Sequence, residues 1–102
     1  MPKEGANAKS SEWGSHIDSC VTHWARTLAG SPDSPYVVAD AAIYTCTDAM
    51  GWQAQALSRE EPGLYPDVDA TEKQLQADQR SEALVEVERF REARCKGPRE
   101  PD

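Results

Sequence analysis

Cys20 and Cys46 flank one short break, Gly30-Ser31-Pro32-Asp33-Ser34, at nearly equal distances. Cys20 precedes Gly30 by ten residues, and Cys46 follows Ser34 by twelve. If the flanks are helices folded back on each other, the two sulfurs fall at one height on facing surfaces. A disulfide needs Cα atoms within about 7 Å, and packed helix axes run about 8–10 Å apart, so facing residues can meet the limit. The bond would close a loop of 25 intervening residues and contribute about 3 kcal/mol through loop entropy, less any strain. The alternative is two reduced cysteines packed as small core hydrophobes. A catalytic role for either is disfavoured, because inward-facing thiols in apolar surroundings are inert. His16, Cys20 and His23 also share i, i+4, i+7 spacing, and Cys46 would face them. Two sulfurs and two nitrogens form a set that zinc accepts. The spacing is unlike that of zinc fingers, however, and both histidines sit at the rim of the stripe. Two half-exposed surface histidines explain the pattern as well, so no metal or other cofactor is expected.

A second group of residues could recognise a partner. Asp78, Glu82 and Glu86 form an i, i+4, i+8 row of carboxylates. Like charges at this spacing slightly destabilise a helix. Such a row could meet a basic surface or mimic a line of phosphates; a solvated helical face offset by Arg80 and Arg89 is the plainer reading. Trp52, on the second face of the second helix, and Leu84, at the flank of the third helix's stripe, are the apolar candidates. Tryptophan is enriched at binding hot spots, although bulky aromatics also dominate small cores. Cys95 lies near the C-terminal end of the last predicted helix and reads as a free thiol. The chain has no Gly-rich phosphate loop, nucleophile motif or metalloprotease helix, so an enzyme is not expected.

The elements that must hold these residues are helical. Trp13, Ile17, Cys20, Val21, Trp24 and Leu28 fall within about 100° of a helical wheel, which predicts an amphipathic helix over 12–29. Gly30 and Pro32 stop it. Ser34-Pro35 starts a second helix, 35–58, with a capping residue and then proline at the first helical position. One stripe of that helix is Ala39, Ile43, Cys46, Met50 and Leu57; a second face carries Val38, Ala41, Ala49, Trp52 and Ala56. Pro62-Gly63 and Pro66 enforce a non-helical connection, over which Leu64, Tyr65 and Val68 could tuck against the hairpin. Asp69 or Thr71 caps a third helix, 71–95, whose stripe is thin: Leu75, Ala83, Val87 and Phe90. The fold class expected is all-α, a small three-helix bundle built on an antiparallel hairpin. The third helix could project, or pack in a dimer. Residues 1–10 and 97–102 are expected to be disordered tails around a single domain, 11–96.

Charge narrows the function. The chain has 18 Asp+Glu against 11 Lys+Arg, a net charge of −7 over 102 residues. Direct nucleic-acid binding needs a basic stripe and is excluded, while a basic protein partner is permitted. No stretch approaches the apolar length of a membrane span. Met1 to Ser11 has no apolar core of the kind a signal peptide needs. The chain therefore reads as cytoplasmic, or as exported if a signal was removed. The expected function is a non-enzymatic inhibitor or adaptor that binds another protein through the third helix and the second face of the second. A phage-encoded protein that blocks a host defence complex, such as an anti-CRISPR, fits this size and charge by genre. The alternatives are an acidic mimic occupying a nucleic-acid channel, and a disulfide-stapled exported structural domain.

Overall fold

Capping chemistry decides where the rods begin. The computed structural model describes residue 2 and residues 4–95. After a 3-10 turn at Gly5–Asn7, α1 runs over Ser10–Leu28, α2 over Pro35–Thr45, α3 over Thr47–Glu60 and α4 over Val68–Cys95. The Ser34 hydroxyl accepts the Val37 backbone N–H at 3.3 Å, and Pro35 takes the first position of α2, where a missing N–H costs nothing. α4 starts three residues before the expected position. Its cap is Asp67, whose carboxylate accepts the Ala70 N–H at 3.1 Å.

Among the described residues the architecture is all-α, with four α-helices in place of the three expected. The predicted 35–58 helix is broken at Cys46, which sits at φ −104°, ψ 10°. Its N–H turns to the carbonyls of Ile43 and Tyr44. The hydroxyls on either side bond back one turn, Thr45 to Ala41 O at 2.9 Å and Thr47 to Ile43 O at 2.9 Å. Such back-bonding loosens the backbone ladder and bends helices.

α2 and α3 together run antiparallel to α1, as the hairpin requires. At one end, Glu60 of α3 meets Ser10 of α1, accepting its N–H at 2.8 Å and its hydroxyl at 2.6 Å. At the other, Arg91 of α4 reaches the α1–α2 turn, donating to the carbonyls of Ala29, Ser31 and Asp33 at 2.8–2.9 Å. α4 packs against α1, α2 and α3 alike. It is seated in the bundle and does not project. Its thin stripe suffices because Ala83 and Val87 are fully buried against a core rich in small residues. Ala25, Ala39, Ala42 and Ala54 have no exposed surface, and the largest fully buried side chains are Trp13, Ile17, Met50 and Val87. Within the N-terminal segment, the 3-10 turn packs against α3. Ala8 is buried and its carbonyl accepts from Arg59 at 3.4 Å. The expectation for residues 97–102 lies outside the described residues.

Candidate functional site

The edge where α1 and α4 run side by side gathers the carboxylates. Gln79 of α4 donates to Asp18 of α1 at 3.0 Å, and Arg26 of α1 pairs with Glu86 of α4 at 3.1 Å. These contacts bring Asp18 beside the row on α4. Asp18, Glu82 and Glu86 line one shallow groove of about 290 Å³ with Val21, Thr22 and Gln79. Asp78 stands one helical turn before Glu82 and accepts from Gln74 at 2.9 Å. The row is not electrostatically uniform. Glu86 is held by Arg26 and also by Arg89 at 3.3 Å, and its side chain is only 18% exposed. Asp18, Asp78 and Glu82 have no cationic partner among the described residues, and all three are exposed. No motif in the sequence singles out Asp18. Nothing local could join it to residues 60 positions later.

Trp52 and Leu84 lie elsewhere in the packing. Trp52 stacks on the fully buried Trp13, with ring centroids 6.3 Å apart and planes 17° from parallel, and stays 37% exposed. It lies over Trp13, whose own indole N–H finds no acceptor among the described residues. Leu84 is half-buried against the core. The second face of the predicted helix is mostly covered, since Val38, Ala49 and Ala56 are buried. Ala41 and Trp52 are its parts that reach the surface.

The cysteines and histidines form no joint centre. The sulfurs of Cys20 and Cys46 lie at disulfide distance, with Cα atoms 6.1 Å apart. His16 stands edge-on to Trp13 at 6.0 Å, and His23 edge-on to Trp24 at 5.0 Å. No three His, Cys, Asp or Glu side chains converge to hold a metal ion among the described residues. Each sulfur faces the other, and each histidine ring faces an aromatic neighbour. The Cys95 side chain lies outside the described residues. No helix among them is long and apolar enough to cross a membrane.

Two further groups were invisible in the sequence. Ser10 holds the Glu60 carboxyl below the ordinary glutamate range, through its hydroxyl first and its backbone N–H second. Asp40 pairs with Arg80 at 2.5 Å and raises the guanidinium further, while the same guanidinium lies 5.6 Å from the Tyr36 ring. Comparison with protein-family models, curated proteins and solved structures gave no match.

Proposed function

We propose that this chain is a non-enzymatic protein that binds another protein with a basic surface, as an inhibitor or adaptor. One observation carries the reading: Asp18 and Glu82 line the α1–α4 groove and Asp78 stands one turn before Glu82 on α4, with no cation among the described residues to neutralise them. Uncompensated surface carboxylates raise the rate and selectivity of encounter with a positive partner. The net charge of −7 acts in the same sense. A phage-encoded inhibitor of a host defence complex, such as an anti-CRISPR, is one setting for such a chain.

The phosphate-mimic alternative draws less support. Its row of three carboxylates is shortened to two once Arg26 and Arg89 occupy Glu86. The exported, stapled domain draws support from the cysteine pair alone.

Affinity capture from the native host, with mass-spectrometric identification, tests the proposal. The wild-type chain is compared with Asp78→Lys/Glu82→Lys. Both positions are exposed, so the fold should survive. The double reversal should weaken capture of a basic protein by about ten-fold, and added salt should weaken it further. Capture unaffected by the reversal and by salt, but abolished by Leu84→Ala, would defeat the acidic-edge reading. Displacement of the captured protein by an oligonucleotide would favour the mimic.

A further inference from the structure

The last turns of α3, the connection 61–67 and the start of α4 surround an open apolar cavity of about 430 Å³. Leu57, Leu64, Tyr65 and Leu75 supply its walls. The connection is braced, because the N–H groups of Leu64 and Tyr65 both donate to the Glu61 carbonyl at 3.0 Å. Pro62 and Pro66 restrict it further. Leu64 nevertheless remains 71% exposed, so the connection does not fold this side chain into the core as its sequence suggested. A volume of this size lies within the range of sites that take up ligand groups, roughly 300–1,000 Å³.

The polar lining has one sign. Asp67 and Asp78 contribute carboxylates, and no Lys, Arg or His among the described residues lines the cavity. Asp78 belongs both to this lining and to the acidic row. Glu82 follows outside the cavity, one turn or about 6 Å further along α4.

We infer that this cavity is an anchor pocket for an apolar side chain of a basic protein segment, whose lysines or arginines lie along Asp78 and Glu82. The inference rests on the function proposed above and names the chemistry of the partner. A second copy of this chain is a poor occupant, since each carries −7 and like charges oppose docking. An anionic lipid meets the same repulsion. A basic segment with one apolar anchor satisfies both the walls and the rim, and buried anchors of this kind dominate binding energy at interfaces.

The isotope-labelled full chain, titrated at low salt, provides the test. The probe is a helical peptide with one leucine followed by lysines at four-residue spacing. Two companion peptides replace the leucine by alanine or the lysines by glutamine. The leucine peptide should shift the amide signals of Leu57, Leu64 and Leu75 together with those of Asp78 and Glu82. It should bind about five- to ten-fold more tightly than the alanine peptide. Leu64→Ala, which removes an exposed wall and no core contact, should erase most of that difference. Shifts at Asp18 and Glu82 without shifts in the cavity, or equal binding of the leucine and alanine peptides, would overturn the anchor pocket and leave the acidic edge standing. Equal binding of the glutamine peptide, or no shift with any peptide, would overturn the acidic edge and the pocket with it.

Discussion

Glu60 shows how one carboxylate can tie two helices together. Ser10 depresses its folded-state pKa below the ordinary glutamate range. A depressed carboxylate stabilises the fold above its unfolded value, and the contribution fades as pH falls through the folded one. The wild-type chain should therefore melt above Glu60→Gln at neutral pH, with the gap closing below the ordinary carboxylate range. Thermal melts of both proteins across pH would show it; a gap independent of pH would assign the contact to shape and not to charge. Trp52 makes a different kind of contact. Its ring covers the buried Trp13, so Trp52→Ala should cost about 2 kcal/mol in urea unfolding and shift the remaining tryptophan emission to the red. A loss of binding by that variant says little about an interface until its fold has been measured. Glu82 has no such burden, and its substitution reports on the surface alone.

At the scale of elements, α1 and the α1–α2 turn were legible because their signals are local. The Trp13–Leu28 stripe, the Gly30 and Pro32 stop and the Ser34-Pro35 start each act within a few residues. The break at Cys46 was not legible. It contains neither glycine nor proline, and it depends on Thr45 and Thr47 turning their hydroxyls to carbonyls one turn back. Asp67 as the cap of α4 was missed for a similar reason, with Asp69 and Thr71 close by and equally plausible. The acidic edge was half legible: the row on α4 shows in its spacing, whereas Asp18 joins it only through packing. Two predictions belong to these elements. Arg91→Ala removes three donated hydrogen bonds to the α1–α2 turn and should cost about 2 kcal/mol, with faster amide exchange over residues 29–33. If the staple is closed, Cys20→Ser should cost about 3 kcal/mol under non-reducing conditions. Thiol counting on unreduced, denatured wild-type protein should then find one free group, and three would exclude the bond.

The whole molecule is an elongated bundle, 55 × 25 × 19 Å, with its negative charge spread over a narrow body. The ion pairs seen among the described residues are partly or fully exposed. Self-repulsion should therefore be measurable: raising ionic strength from low to physiological should raise the melting temperature, whereas a flat or falling response would show that the surface pairs matter more. Among the apolar residues of α4, Ala83 and Val87 are buried in the bundle, while Val85 remains exposed. The contacts of Glu60 and Arg91 carry a consequence for topology. The backbone dipoles of α1 sum to a partial positive charge at Ser10 and a partial negative one near Ala29. An anion from α3 greets the first and a cation from α4 the second. These two side chains thus reinforce the direction that the short α1–α2 turn imposes: each end of the rod meets the charge its dipole favours.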